Sequence, residues 1–210
     1  MEITDTSILT KHIERRTAPG NVIRNGRATM GTVYEDHTKV KHYRPDPDVF
    51  RREERIRHII ETSLKIVLPF AEVYTTKEKK GFALWVPPYH HRPSAAQTFN
   101  LMKMFVQTSG PRRLMEMLHL FRSLQNQYPE EPFCHLLYLA VDPEDQGKGM
   151  GTSLLLPVLA ECSTNNILAY LENSNENNLS LYQKSGFCSF NEWQLPKNGP
   201  TIWFMKRDPS

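Results

Sequence analysis

The sequence has little cysteine, no long apolar run and almost no excess of charge of one sign. Only three of its 210 residues are cysteine, and their wide spacing fits neither a disulfide framework nor a zinc site. We therefore expect reduced, mostly buried thiols at Cys134, Cys162 and Cys188, and no bound metal. No apolar run approaches the roughly 20 residues that span a bilayer. A formal net charge of +3 is too small to indicate nucleic acid as the partner. These absences exclude a membrane span and argue against a nucleic-acid-binding protein.

What remains is the composition of a soluble globular protein, with 39% hydrophobic and 23% charged residues. A chain of this length can bury one continuous core. The first residues, Met1 to Asp5, lack the basic-then-apolar pattern of a signal peptide, so the expected location is the cytoplasm. We predict a single domain over residues 46–210. The sequence pattern does not define the elements of the N-terminal segment, residues 1–45, in which Asn25-Gly26 favours a hairpin tip.

Hydrophobic periodicity predicts that helices and strands alternate after residue 46. Asp46-Pro47 begins a helix that Pro69 ends. The further predicted elements are, in order, strands at 71–75 and 82–86, helices at 94–108 and 111–126, a strand at 133–141, a helix at 152–162, a strand at 167–172, a short helix at 177–185, and strands at 186–193 and 201–206. A strand, a helix and a strand at this spacing imply a parallel pair, whereas the last strands are too close together for a crossover and must be antiparallel. The predicted fold class is therefore α/β, with a mixed sheet flanked by helices.

The most informative stretch is the glycine loop, Gln146 to Gly151, between a predicted strand and a predicted helix. Glycines let the backbone approach a ligand closely, and the helix start supplies unpaired N–H groups and the positive end of a dipole. Together these features favour an anionic phosphate group. The three glycines are spaced two residues apart, which excludes the dinucleotide fingerprint. Gly147-Lys148 lacks an earlier glycine at the P-loop distance and is followed by Gly149 instead of Ser or Thr, which excludes the P-loop. A plain tight turn is the alternative interpretation.

Two motifs, in the right order and at the right distance, resemble those of the GNAT superfamily of N-acetyltransferases. The glycine loop, Gln-x-x-Gly-x-Gly, is similar to the acyl-CoA loop of that superfamily. The segment from Asn178 to Phe187 is similar to its Asn-x-x-x-Tyr-x-x-x-Gly-Phe motif. The resemblance covers residues 46–206 and departs from the family pattern over residues 1–45. Further stretches resemble puromycin N-acetyltransferase-like proteins, namely Leu155-Leu156-Pro157, Tyr170 to Ser174 and Gly199 to Met205.

The resemblance implies a GNAT-like mixed, mostly antiparallel sheet with a central parallel strand pair splayed around CoA. The implied activity is an acetyl-CoA-dependent N-acetyltransferase that moves acetyl to an amine by direct attack, through a tetrahedral intermediate. No cysteine is placed as a nucleophile with a histidine partner. We expect a small-molecule amine as the acceptor. The alternatives are a protein or peptide amine, or a CoA-binding sensor without turnover. The oligomeric state, a homodimer included, stays open.

Tyr182 lies where the resemblance places a tyrosine that would protonate the leaving CoA sulfur. Glu172, at the end of a strand that should be buried, is the candidate to take a proton from the amine, and His135, at the start of the central strand, is a second candidate base. Each has a structural alternative, which is packing for Tyr182, capping of a strand end for Glu172 and core burial for His135. The loop at His90 and His91 lines either the acceptor cleft or the surface. The residues implied to bind acetyl-CoA are Leu139, Ala140, Val141, Gln146, Gly147, Lys148, Gly149, Met150, Gly151, Thr152 and Asn178.

Overall fold

The computed structural model describes residues 13–16, 49–91, 93–195 and 199–210. For residues 13–16, 49–57 and 109 it describes the backbone alone. The predicted hairpin tip at Asn25-Gly26 and the predicted helix start at Asp46-Pro47 lie outside the described residues.

Helices and strands follow one another in the described chain in the order that the hydrophobic pattern predicts. The helices are α1 (Val49–Val67), α2 (Ala95–Ser109), α3 (Leu114–Gln125), α4 (Met150–Thr164) and α5 (Leu179–Lys184). The strands are β1 (Ile13–Arg16), β2 (Glu72–Thr76), β3 (Gly81–Val86), β4 (Phe133–Val141), β5 (Leu168–Asn173), β6 (Cys188–Gln194) and β7 (Thr201–Arg207). Within the described ranges, no helix is long and apolar enough to cross a bilayer.

The strands of the described residues form one seven-stranded sheet in the order β1-β2-β3-β4-β5-β7-β6. β4 and β5 are parallel, and every other neighbouring pair is antiparallel. This confirms the predicted mixed, mostly antiparallel sheet with a central parallel pair. Edge strand β1 is a finding that the sequence pattern did not predict. Because β1 pairs with β2, residues 13–16 belong to the same sheet as the predicted domain.

Local sequence explains how α2 begins and how it is held against α1. The Ser94 hydroxyl accepts a hydrogen bond from the Gln97 N–H, and the Gln97 side chain accepts one from the Ser94 N–H, which is a capping box. The Gln97 amide also donates to the carbonyl of Ile66 near the end of α1, at 3.2 Å. One residue therefore begins α2 and fixes its start against α1.

The sheet separates two hydrophobic layers. On one face, α4 and α5 pack against the sheet through buried residues that include Leu155, Leu159, Leu171 and Phe187. On the other face, α1 packs against β2 and β3, and α3 packs near Phe133, Tyr170 and Phe204. The cysteines are free, but only Cys162 is fully buried, because Cys134 is half-buried and Cys188 is exposed. The expectation of mostly buried thiols is therefore wrong for Cys188.

Candidate active site

The central parallel strands pair over a short length and then separate. Residues 133–135 of β4 pair with residues 168–170 of β5. β4 then continues to Val141 and β5 to Asn173, each still paired with its outer neighbour in the sheet. A V-shaped gap therefore opens between β4 and β5 beyond their last paired residues, which form its vertex.

The backbone of β4 presents hydrogen-bonding groups to this gap at alternate residues. The N–H of Asp142 donates to the carbonyl of Lys80 at 2.8 Å, so residue 142 faces the β3 side. In a regular antiparallel pair this direction alternates along the strand. The N–H and C=O groups of Ala140 consequently face β3, whereas those of Leu139 and Val141 face the gap. The backbone groups of Ala140 therefore face β3 and not a ligand arm in the gap.

A β-bulge lies in β4 close to the vertex. Leu84 is opposite Tyr138 while Trp85 is opposite Leu136, which makes Leu137 an extra residue in β4. A bulge bends its strand and increases the local twist. The bulge therefore lies where β4 begins to leave β5, and it accounts physically for the separation of the two strands.

The glycine loop lies at the wide end of the gap and leads into α4. Gly147 and Gly149 have φ angles of +76° and +80°, a region that glycine adopts without steric cost. A Cβ at either position would meet nothing within 4 Å, so both face open space. No described side chain caps α4, and the N–H of Ser153 donates to the carbonyl of Gly149 at 3.0 Å. The N–H groups of Met150 to Thr152 precede that bond and are oriented to bind an anion.

Asp145 anchors the loop and was missed by the sequence interpretation. Its carboxylate contacts the Lys148 Nζ at 2.8 Å and the Lys80 Nζ at 2.9 Å. The hydrogen bonds from Lys148 and Lys80 hold the pKa of Asp145 below its usual range. Lys148 therefore shares its charge with Asp145. The Gln146 amide donates to the gap-facing carbonyl of Val141 at 3.1 Å, which ties the loop to the end of β4.

Tyr182 lies in α5, on the face of the sheet that α4 covers. It is buried in the same cluster as Leu171 and packs edge-to-face on Phe187, with ring centroids 6.1 Å apart. Burial raises the pKa of Tyr182 to about 12, so its hydroxyl keeps its proton at neutral pH. Asn178, directly before α5, has an exposed side chain. Packing and proton donation are both compatible with this setting of Tyr182.

His135 and Glu172 form a hydrogen-bonded pair at the vertex of the gap. The His135 Nε2 lies 2.9 Å from the Glu172 Oε2, with side chains 5% and 14% exposed. The Tyr170 hydroxyl donates to the Glu172 Oε1 at 3.2 Å. The carboxylate therefore orients the imidazole from one oxygen while its other oxygen is held in place. The two candidate bases named separately from the sequence are one unit in the structure.

This unit and Tyr182 lie on opposite faces of the sheet. The His135 ring lies 5.6 Å from that of Tyr128, which belongs to the layer on the α3 side. Along β5, side chains alternate between faces, and Leu171 packs with Tyr182 while Tyr170 and Glu172 point the other way. A group held in the gap would therefore have a carboxylate–imidazole pair on one side and a phenol on the other.

A pocket of about 140 Å³ lies on the His135 face, between β3, β4 and the three helices α1, α2 and α3. His90 and His91 line it, together with His135, the bulged Leu137 and Tyr138. The loop at His90 and His91 thus borders this pocket. Because the pocket reaches the vertex, it is the candidate site for the second substrate.

His91 has an unusual environment within this pocket wall. Its ring stacks on Phe133, with centroids 3.9 Å apart and planes 5° from parallel. Its Nε2 lies 2.9 Å from the Phe133 carbonyl and therefore carries the proton, since a carbonyl only accepts. Burial, followed by the charge of nearby His135, lowers the pKa of His91 to about 4. The Nδ1 of the neutral ring is buried and has no hydrogen-bond partner.

This chain is similar to known acetyltransferases in part of its sequence and in its fold. The acetyltransferase (GNAT) family model matches residues 114–187, which include β4, the glycine loop, α4 and Tyr182. A structure from Corynebacterium glutamicum, described as histone acetyltransferase HPA2 and related acetyltransferase, has a TM-score of 0.68 at 17% identity, over 95% of this chain and 97% of that chain. The chain has the GNAT fold. Its splayed strand pair, glycine loop and following helix are elements of that fold.

Other solved structures with the GNAT fold also align over nearly the full length. Arylalkylamine N-acetyltransferase 2 from Aedes aegypti has a TM-score of 0.58 at 13% identity, over 94% of this chain and 99% of that chain. An agmatine N-acetyltransferase has a TM-score of 0.56 at 14% identity, with the same coverage. The family match over residues 114–187 and the shared fold are what this chain has in common with GNAT acetyltransferases.

In the described part of the chain, no group of three or more His, Cys, Asp or Glu side chains could hold a metal ion. Three features of the site were absent from the sequence interpretation: the Asp145 anchor, the bulge at Leu137 and the environment of His91. An acidic residue three positions before Lys148 was the available signal for Asp145. The bond of His91 to Phe133 spans 42 positions, and no sequence signal indicates it.

Proposed function

We propose that this protein is an acetyl-CoA-dependent N-acetyltransferase that acts on a small-molecule amine. The observation that carries the proposal is the gap between β4 and β5, with the glycine loop at its wide end and the His135–Glu172 pair at its vertex. One edge of the gap offers backbone groups, and its mouth offers unpaired N–H groups. This combination fits a long ligand arm that contains amides and ends in a pyrophosphate.

The residues present fit acetyl-CoA at both ends of the gap. The N–H groups of Met150, Gly151 and Thr152 would bind the pyrophosphate, because the open space beside Gly147 and Gly149 admits it. Leu139 and Val141 would pair with the pantetheine amides as a neighbouring strand does. The side chains of Asn178 and Lys148 are exposed, and we propose that they make outer contacts with acetyl-CoA. When bound, acetyl-CoA supplies the acetyl group as a thioester.

The groups at the vertex would serve the transfer itself. The neutral amine nitrogen attacks the thioester carbonyl carbon, a C–N bond forms, and the C–S bond then breaks. The proton on nitrogen passes to the His135–Glu172 pair, while the Tyr182 hydroxyl gives a proton to the departing sulfur. The gap-facing N–H of Leu139 would donate to the carbonyl oxygen as negative charge develops there. Because the His135–Glu172 pair and Tyr182 lie on opposite faces of the sheet, the two proton transfers would take place on opposite sides of it.

A small-molecule acceptor is supported by the size of the pocket. A volume of about 140 Å³ suits a compact group rather than an extended peptide. The stretches at Leu155 to Pro157 and Gly199 to Met205 resemble puromycin N-acetyltransferase-like proteins, and we propose that the chain belongs to that subgroup. Two of the structurally similar proteins, by name, act on arylalkylamines and agmatine. We propose the same broad acceptor class, free amines, for this chain.

Release of free thiol from acetyl-CoA, followed across a panel of amines and an N-terminal peptide mixture, tests the proposal. We expect thiol release with at least one small amine, together with a saturable calorimetric signal for acetyl-CoA alone. Acetyl-CoA binding without turnover on any acceptor would indicate a sensor instead. Turnover confined to the peptides would replace the small-molecule acceptor with a protein amine.

A further inference from the structure

Three histidine side chains line the described wall of the pocket, and they differ in which ring nitrogen a ligand can reach. His90 is exposed at the edge of the pocket, where its Nδ1 contacts a backbone carbonyl of its own loop at 3.0 Å. His91 offers neither nitrogen, because its Nε2–H is bonded to the Phe133 carbonyl and its Nδ1 is fully buried. Of the three, His135 alone is hydrogen-bonded to a described carboxylate, that of Glu172.

The Nδ1 of His135 is unbonded and keeps accessible surface. No described group bonds to it, since the ring contacts Glu172 through Nε2. Within the described residues, the only side-chain nitrogens or oxygens that are both fully buried and unbonded belong to Trp85 and His91. The unbonded Nδ1 of His135 is therefore not fully buried, although the residue as a whole is only 4% exposed. Because the His135 side chain lines the pocket, an amine in the pocket can reach this nitrogen.

The hydrogen bonds of Glu172 decide which nitrogen of His135 carries the proton. The Tyr170 hydroxyl donates to one carboxylate oxygen at 3.2 Å, and the His135 Nε2 lies 2.9 Å from the other. Burial raises the pKa of Tyr170, so this hydroxyl keeps the proton that it donates. An ionised carboxylate only accepts, so the neutral imidazole carries its proton on Nε2 and its lone pair on Nδ1.

Glu172 lies behind His135 as seen from the pocket, whose described lining includes the imidazole but not the carboxylate. When the amine attacks the thioester, its lone pair forms the C–N bond. The N–H bond that breaks leaves its electron pair on nitrogen, and the proton moves to Nδ1. The Glu172 carboxylate, 2.9 Å from Nε2, stabilises the imidazolium that results. On product release the proton passes from Nδ1 to water.

We infer that the Nδ1 of His135 is the atom that takes the proton from the amine, and that Glu172 and Tyr170 are positioning residues. They hold the ring so that this nitrogen faces the pocket. The inference rests on the proposed function and narrows its base from the His135–Glu172 pair to one atom. Glu172 then acts through the imidazole and not on the amine itself.

Glutamine at position 135 separates the two possible bases. In His135→Gln the amide nitrogen can keep the donation to Glu172 that Nε2 makes, but no basic nitrogen remains. Thiol release at saturating acetyl-CoA is measured with benzylamine, isobutylamine, agmatine and spermidine, and the best of these acceptors is used for the variants. We expect kcat to fall by about a hundredfold to ten-thousandfold, with acetyl-CoA affinity by calorimetry unchanged. A kcat close to that of wild type would assign the proton to Glu172 and overturn the inference.

Two further histidines serve as comparisons. His119→Gln makes the same change on the exposed face of α3 and should keep the wild-type kcat. A larger loss of kcat in His90→Gln than in His135→Gln would move the base to the edge of the pocket and overturn the inference. Turnover by both wild type and His135→Gln refutes the inference alone, whereas a wild type that releases no thiol with any amine refutes the proposed function and the inference with it.

Tyr170→Phe tests the positioning role, because it removes one hydrogen bond to Glu172 and keeps the ring. We expect kcat to fall by about threefold to tenfold, the effect of one hydrogen bond, with the acceptor KM unchanged. An unchanged kcat would refute the role of Tyr170. Long-range ¹H–¹⁵N spectra of wild type should show the neutral His135 ring protonated on Nε2, whether or not thiol is released. A neutral ring protonated on Nδ1 would overturn the inference even for an active enzyme.

Discussion

Lowering the pH from 7.5 to 5 should reduce the folding stability of this protein through His91. Burial and the nearby His135 lower the pKa of the His91 imidazole from 6.5 to about 4. Between these values the unfolded chain binds a proton that the folded protein does not, so acid favours the unfolded chain. The contribution of neutral His91 to the free energy of unfolding is fully present above pH 6.5 and decreases as the pH falls toward 4. These two pKa values correspond to a loss of about 2 kcal/mol at pH 5. Because His91 is half-buried, we expect about 1 kcal/mol after solvent screening.

Urea denaturation at both pH values measures this loss. Wild type should lose about 1 kcal/mol more than His91→Gln between pH 7.5 and 5, because glutamine has no proton to gain. The same difference should appear as about 2–4 °C in the thermal midpoint of a protein of this size. His119→Gln should retain the wild-type loss, since its site is exposed. Equal losses for wild type and His91→Gln would refute the claim that His91 is held neutral by its surroundings.

Three substitutions test the other parts of the site. Gly149→Val forces a β-branched residue to a φ of +80° and fills the space beside the helix start, so calorimetry should show acetyl-CoA affinity at least about tenfold weaker; unchanged affinity would return the glycine loop to a plain turn. Tyr182→Phe removes the proton donor and should lower kcat by about tenfold to a hundredfold with acetyl-CoA affinity preserved; an unchanged kcat would leave Tyr182 a packing residue. Glu172→Gln should lower the rate by about a hundredfold at pH 6 and less at pH 9, where free amine is plentiful; a deficit that is the same across pH would remove Glu172 from the proton transfer.

The elements of the C-terminal half were predictable because their signals are strong and local. The strand at 133–141 is observed with the predicted bounds, and the predicted helix at 152–162 is observed as Met150–Thr164. β1 was not predictable, since Ile13–Arg16 is four residues long and three of its residues are charged. Its strand state depends on pairing with β2, a partner 57 or more positions away. Propensity within a short polar segment cannot indicate such a partner.

The glycine loop and the pocket at His135 also differed in how far the sequence could predict them. The glycine loop is a contiguous motif, so its position before α4 and its open face could be predicted from residue type and spacing alone. The pocket is assembled from α1, α2, α3, β3 and β4, and no segment of the chain contains its pattern. Glu172 and His135 were identified singly, but their contact at 2.9 Å depends on the register of β4 with β5. Register between two strands whose paired residues are 35 positions apart is a tertiary property that one sequence does not display.

The His135–Glu172 pair also distinguishes an enzyme from a protein that only binds acetyl-CoA. A buried pair of hydrogen-bonded polar side chains is often no more stabilising than apolar side chains of similar size, because desolvation offsets its attraction. If the pair serves catalysis, replacing it together with its partner hydroxyl, as His135→Phe, Tyr170→Phe and Glu172→Met in one chain, should leave stability within about 1 kcal/mol of wild type or raise it. Thiol release should be abolished while calorimetry shows acetyl-CoA affinity unchanged, because the glycine loop is untouched.

Glu172→Met alone should cost about 3 kcal/mol, since it leaves buried donors on His135 and Tyr170 without an acceptor. A triple variant as unstable as this single variant would show that the pair holds the fold together and would withdraw the strongest structural argument for its catalytic role.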